Sequence, residues 1–188
     1  MDKMKNLPFG YLFPEEENYI VDTCRGFGLC IDLGTCNGRS AALMSKSAVK
    51  VITVDVFEDI FLISNEGSRA HYENIFNRNP HYYEDVKIIL SEYPNVIIEK
   101  STTAEYALTQ KDNSVDLIFF DADHSFSGLK KEFNSWYPKI KIGGILIFHD
   151  AIDNNWDVNI FCDIFCDTTS NRVAEINTVR TMRCFKKV

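Results

Sequence analysis

Acidic side chains recur where apolar, strand-like runs give way to loops. Asp32 follows LCI, Asp55 closes KVITVD, Asp121 closes VDLIFFD with Asp123 and His124 just beyond it, and Asp150 follows His149 in ILIFHD. Carboxylates gathered at neighbouring strand ends can accept hydrogen bonds from sugar hydroxyls, pair with a cationic ligand, or hold a hard divalent cation together with water and a substrate diol. Asp121 and Asp150 are the candidate metal ligands. His149 is a further candidate, which would move the preference from Mg²⁺ toward Mn²⁺ or Zn²⁺. Imidazoles titrate near neutral pH, so His149 and His124 are also candidate proton acceptors. Structural roles stay open beside these: Asp150 as the cap of a following helix, and His124 as a satisfied loop histidine.

The pattern around these residues predicts the elements that carry them. Pro14 with Glu15, Glu16 and Glu17 reads as a helix start, and Arg25-Gly26 as its end. Strands are expected over 27–32, 49–55, 96–99, 115–121 and 145–148, with helices over 41–47, 82–93, 103–109, 126–137 and 156–166. Residues 57–80 are polar and weakly periodic, and read mainly as a long loop with a helical turn or two. A turn is expected at Gly143-Gly144. The chain should finish as a hairpin of strands 172–176 and 179–185 turning at Asn177-Thr178. The prediction is a Rossmann-like, doubly wound, mostly parallel seven-stranded α/β sheet with an antiparallel C-terminal hairpin. It forms one domain over 1–188, with an N-terminal helical segment at 1–26 and a core over 27–188. Phe126, Leu129, Phe133 and Trp136 read as core packing.

Such sheets bind ligands beyond the C-terminal strand ends, where the strand order reverses. The first such loop reads Asp32-Leu33-Gly34-Thr35-Cys36-Asn37-Gly38-Arg39-Ser40. Gly34 and Gly38 permit a sharp turn and close approach, and the next helix offers free N–H groups to an anion. Asp32 would repel a pyrophosphate, and the dinucleotide fingerprint G-x-G-x-x-G is missing, which disfavours an NAD(P)-linked oxidoreductase. A zwitterionic amino acid fits better, with its ammonium on Asp32 and its carboxylate on the helix start and the Ser40 hydroxyl. Asp55 stands where an acid accepts from ribose hydroxyls. An amino acid joined to a ribose suggests S-adenosylmethionine.

DLGTCNGRS, VITVD and VDLIFFDADHSFSGLKKEFNSWYPKIKIGGILIFHD together resemble the class I SAM-dependent methyltransferases, in the style of the sugar, antibiotic and catechol-type O-methyltransferases. The resemblance covers nearly the whole chain. It implies that Asp32, Gly34, Thr35, Gly38 and Ser40 hold the methionine part. It also implies that Asp55 and Val56 hold the ribose and the adenine edge, that Ser101 or Thr102 touches the adenine, and that Asp121 lies beside the sulfonium. His149-Asp150 departs from the Asp-Asn or paired acids of those relatives. Arg180 stands where a Gly is common. The expected function is methyl transfer from S-adenosylmethionine to a small-molecule acceptor, at a hydroxyl, with metal assistance as an option. The alternatives are the oxidoreductase above and a SAM-binding module without turnover.

Composition bounds the partners. The 188 residues are 45% hydrophobic and 25% charged, with 20 Lys+Arg against 27 Asp+Glu and a formal net charge of −7. Phosphate-backbone binding would need a local basic patch, and only Lys130-Lys131 and Lys186-Lys187 pair up, so nucleic acid is not an expected partner. No apolar run approaches a membrane span. The start MDKMKNLPFG lacks the apolar stretch of a secretory signal, and the six cysteines form no CxxC, so free thiols in the cytoplasm are expected. A homodimer is a further expectation.

Overall fold

Runs such as VITVD and DLIFF are apolar on both alternating faces, as strands covered by helices on either side must be. In the computed structural model, which describes residues 7–63, 66–152, 155–167 and 172–188, they form one seven-stranded sheet. The strands are β1 (Leu29–Leu33), β2 (Lys50–Asp55), β3 (Val96–Lys100), β4 (Val115–Phe120), β5 (Ile140–Phe148), β6 (Val173–Val179) and β7 (Met182–Lys187). Their order is β3-β2-β1-β4-β5-β7-β6. The first five run parallel and β7 pairs antiparallel with both β5 and β6. The order reverses between β1 and β4, which places a crevice beyond their C-terminal ends.

Helices α1 (Pro14–Thr23), α2 (Arg39–Met44), α3 (Glu66–Arg78), α4 (Tyr82–Leu90), α5 (Thr103–Ala107), α6 (Phe126–Trp136) and α7 (Val158–Phe161) cover the faces. Leu129, Phe133 and Trp136 of α6 are buried against β4 and β5 residues such as Ile118 and Phe148, as their i, i+4, i+7 spacing requires. On α1 the Phe13 N–H donates to Glu16 Oε2 at 2.9 Å, which closes the helix start. Gly26 takes the left-handed conformation beyond its end, at φ 79°. Arg25 lies outside the last turn and pairs with Asp22.

Four expectations need correction. The polar stretch 57–80 contains a 3-10 turn, Ile60–Leu62, and the thirteen-residue helix α3; residues 64 and 65 lie outside the described set. Tyr72, Ile75 and Phe76 supply the i, i+3, i+4 anchors that pack α3 on the core. Gly143-Gly144 is not a turn before the fifth strand. It lies inside β5, where the register with β4 shifts between Val115 and Leu117 and Gly143 takes φ 80°, as a bulge allows. The hairpin turns at Arg180-Thr181, with Arg180 at φ 54°, so the arginine occupies the conformation that explains why glycine is common there. The helix expected over 156–166 is the short α7 continued by a π-helical turn, Cys162–Asp167. Cys24, Cys30, Cys36, Cys162 and Cys184 are free thiols; Cys166 falls outside the described side chains. Among the described residues no helix is long and apolar enough to cross a membrane.

Candidate functional site

The β1–α2 loop is pinned before it reaches any ligand. Gly34 N–H donates to Val54 C=O and Asp121 N–H to Leu33 C=O, both at 2.9 Å, which locks the ends of β1, β2 and β4 together. Gly34 has φ 95°, and a Cβ there would stand 2.3 Å from the Asp121 carbonyl oxygen. Only glycine permits that approach. Gly38, at φ 85°, begins α2 and faces Leu90 rather than open space.

Asp32 lies beneath the loop, with no exposed surface. Its Oδ2 accepts from Thr53 Oγ1 at 2.6 Å, Thr53 and Thr35 share a hydroxyl contact of 2.7 Å, and Oδ1 is buried without a partner. Burial pushes its carboxyl up to about 7 against the pull of neighbouring hydroxyls. Asp32 lines neither cleft described below, and its carboxylate orders the threonines under the loop.

Two clefts meet at Gly34. The first, with about 680 Å³ of open space, is bounded by Asp55 and Val56 at the end of β2 and by Ile63 and Tyr72 from the 57–80 segment. Thr102, Thr103 and Ala104 at the start of α5 and Glu132 on α6 complete it. Asp55 is nearly sealed: Oδ1 accepts from the Phe57 N–H and Oδ2 from the Cys36 N–H, each at 3.0 Å, and Tyr72 Oη donates to Oδ2 at 2.8 Å. Burial raises its pKa, and those bonds oppose the rise. Thr102 caps α5 by accepting from the Glu105 N–H. Ser101 does not line the cleft; its hydroxyl donates to the Thr102 carbonyl.

The second cleft, about 350 Å³, joins Thr35, Asn37 and Ser40 of the loop to Asp121 and His149, under a cover formed by Phe9 to Leu12. Arg39 holds that cover in place, donating from its guanidinium to the Pro8 carbonyl at 2.7 Å and from Nε to Glu17 at 2.6 Å. Tyr11 meets the His71 ring of α3 edge-on at 6.1 Å, so the N-terminal segment and α3 touch above the site.

His149 stands between two acids, with Nδ1 3.1 Å from Asp121 and Nε2 3.6 Å from the fully buried Glu16. Burial alone would lower its pKa, but Asp121 and Glu16 outweigh that and push it up to about 11. Burial alone would raise Asp121, and the His149 and His124 rings instead hold it down at about 2. The two acids favour the protonated form of the His149 ring. Glu16 also accepts from the Thr181 N–H and hydroxyl at 2.9 and 2.7 Å, so one buried acid ties α1, the β6–β7 turn and the site together.

Among the described residues, one group of side chains converges closely enough to hold a metal ion: Asp121, His124 and Asp150, with ligand atoms all within 4.8 Å of one another. His124 Nε2 is 3.3 Å from Asp121 and 3.9 Å from Asp150. Both imidazoles adjoin this carboxylate pair: His124 completes the convergent group, and His149 Nδ1 lies 3.1 Å from Asp121 and 3.5 Å from Asp150. Two carboxylates and an imidazole suit Mn²⁺ better than Mg²⁺. Asp150 has φ 55° and precedes no helix directly, so it is not a helix cap.

Several site residues lie outside the strand-end motifs. Glu132 has a sequence signal of its own, since with Leu129, Phe133 and Trp136 it puts an acid on the buried stripe of α6. Glu16 has another, sharing the inner face of α1 with Ile20. Tyr72 stands on α3, whose polar sequence carries few inward-facing apolar residues.

Residues 31–151 match a family model described as a methyltransferase domain. Among solved structures, the O-methyltransferase NovP superposes with a TM-score of 0.68 at 15% identity, over 92% of this chain and 79% of that one. An O-methyltransferase from Bacillus cereus in complex with SAH gives 0.62 at 14%, over 97% and 85%. An rRNA methylase from Streptococcus thermophilus gives 0.61 at 11%, over 95% and 99%. In sequence, 48 residues are 31% identical to an uncharacterised protein of Acanthamoeba polyphaga mimivirus, and this stretch spans 26% of the present chain and 22% of that protein.

Proposed function

The chain belongs to the methyltransferase-domain family, and from that premise we propose that it transfers a methyl group from S-adenosylmethionine to a hydroxyl of a small-molecule acceptor. The observation that carries this reading is the pair of clefts meeting at Gly34, one ending on Asp55 and the other on Asp121. The first suits a nucleoside, with Asp55 toward the ribose and Val56 and Ile63 as apolar walls. The second suits the methionine part and the acceptor, with Thr35, Asn37 and Ser40 toward the amino acid and the Asp121 carboxylate beside the sulfonium. The glycine cradle at Gly34 agrees with a loop shaped for a ligand.

Methyl transfer from a sulfonium is an in-line displacement, so the protein contributes chiefly alignment and exclusion of water. Asp121 stays ionised and offers its charge to the sulfonium. His149, held as a cation, fixes the Asp121 carboxylate, and Phe9 to Leu12 roof the acceptor side. Asp121, His124 and Asp150 fit a divalent ion, Mn²⁺ or Mg²⁺, which when bound would polarise the acceptor oxygen. The five free thiols suit a reducing cytoplasm.

The test is methyl transfer from labelled S-adenosylmethionine to a panel of hydroxylated metabolites, with EDTA, Mg²⁺ or Mn²⁺ added. Label on a hydroxyl supports the reading. Tight nucleoside binding with no label on any acceptor would favour a binding module, and full activity in EDTA would remove the metal.

A further inference from the structure

Asp55 lines the first cleft, yet the residue is only 4% exposed and its carboxylate is already engaged. Oδ1 accepts from the Phe57 N–H, and Oδ2 accepts from both the Cys36 N–H and the Tyr72 hydroxyl. An ionised carboxylate accepts at about four positions. Those three donors leave room for one more, and the diol of a ribose brings two. The Phe57 and Cys36 donors are backbone N–H groups in the loops that leave β2 and β1. Tyr72 is a side chain on α3, which packs on the core through Tyr72, Ile75 and Phe76. Its phenol is therefore the donor that can leave Asp55 without disturbing a strand end.

The Tyr72 ring stands in the wall of the first cleft with Val56 and Ile63. Burial and the Asp55 charge hold its pKa well above the ordinary value, so the phenol keeps the proton that it donates. On the cofactor reading above, on which this inference rests, a ribose must share Asp55 with this hydroxyl or replace it. We infer that Tyr72 is a gate: its hydroxyl holds the place of a ribose hydroxyl on Asp55, so that α3 closes the first cleft until a nucleoside displaces the phenol. The neighbouring His71 meets the Tyr11 ring of the N-terminal cover at 6.1 Å, so the gating helix also borders the second cleft.

The test is calorimetric titration of the full chain and of Tyr72→Phe with S-adenosylhomocysteine and with its dideoxyribose analogue, which keeps the base and the amino acid but offers no ribose hydroxyl. Phenylalanine keeps the ring in the wall and removes only the competing donor. Tyr72→Phe should bind S-adenosylhomocysteine about fivefold more tightly, as the release of one hydrogen bond implies, and the dideoxy analogue with unchanged affinity. A phenol with a purely structural role would alter both affinities by the same factor, and one that helps to hold the ribose would make Tyr72→Phe bind S-adenosylhomocysteine more weakly; either result overturns the inference. Thermal melts check the fold of the variant. A crystal structure of the unmodified chain with S-adenosylhomocysteine needs no variant: a ribose hydroxyl should stand on Asp55 with Tyr72 Oη beyond hydrogen-bond reach, whereas both hydroxyls bonded to Asp55 together would overturn the gate. Binding of neither ligand by either protein overturns the cofactor reading itself and the gate with it, a result distinct from equal shifts.

Discussion

At the scale of single residues, the acids of this chain differ by what surrounds them more than by where they stand in the sequence. Asp55 and Asp121 could be picked from strand ends, Val56 and Thr102 only from the family resemblance, and each of the four lines a cleft. The role of Asp32 could not, because a sequence position at a strand end does not say which way the side chain faces. The same limit applies to His149, whose Nε2 faces Glu16, a residue remote in sequence. Asp55→Ala removes the acceptor of two backbone N–H groups and the Tyr72 hydroxyl, so it should lower the melting temperature. On the proposed function it should also weaken S-adenosylhomocysteine binding about tenfold or more, measured by calorimetry; unchanged affinity would contradict the ribose assignment. Asp32 and Glu132 make a second prediction, about pH. Their folded values, about 7 and about 8, lie above their ordinary values of 3.8 and 4.5. The folded state therefore keeps protons that the unfolded chain has released. The associated stability is full below about pH 4 and is lost as pH rises toward 8. Melting should occur several degrees higher at pH 5 than at pH 8.5, roughly as a loss of 1 kcal/mol or more implies. Glu132→Gln should shrink that difference, and an unaltered difference in the variant would contradict the burial argument.

Elements position these side chains, and the β1–α2–β2 unit was the most legible of them. Its β-branched strands and its two glycines have a single local solution, and the structure adopts it. Elements governed by tertiary contacts were harder to read. Helix α3 looks polar because only Tyr72, Ile75 and Phe76 face inward. Strand β5 looks broken because it carries two glycines at a bulge, and the β6–β7 turn looks displaced because an arginine adopts a glycine-like conformation. Gly34→Ala should destabilise the protein by about 3 kcal/mol or more, since its Cβ would meet the Asp121 carbonyl while the backbone sits at φ 95°. Urea unfolding measures this, and a loss below about 1 kcal/mol would show that the loop relaxes. Arg39→Ala releases the Pro8 carbonyl and Glu17, and with them the cover over the second cleft. Steady-state kinetics should show KM for the acceptor rising severalfold, with little change in S-adenosylhomocysteine affinity. The reverse pattern would place Arg39 on the cofactor instead of on the cover.

At the scale of the whole molecule, the reversal of strand order between β1 and β4 gathers Asp32, Asp55, Asp121 and Asp150 at one edge of the sheet. The net charge of −7 thus has a local concentration where a sulfonium, an amino acid and a cation would sit. The alternation of strands and helices made this architecture readable from sequence, since right-handed crossovers leave few other arrangements. On the proposed function the acceptor side is walled by the N-terminal cover and α3, which were not readable because their packing rests on long-range contacts such as Arg39 with Pro8 and Tyr11 with His71. The central claim is that the two joined clefts hold S-adenosylmethionine, and calorimetric titration of the full chain with S-adenosylhomocysteine and, separately, with NAD⁺ tests it most directly. One S-adenosylhomocysteine should bind per chain and NAD⁺ should give no heat, whereas NAD⁺ binding without S-adenosylhomocysteine, or binding of neither, would contradict the account.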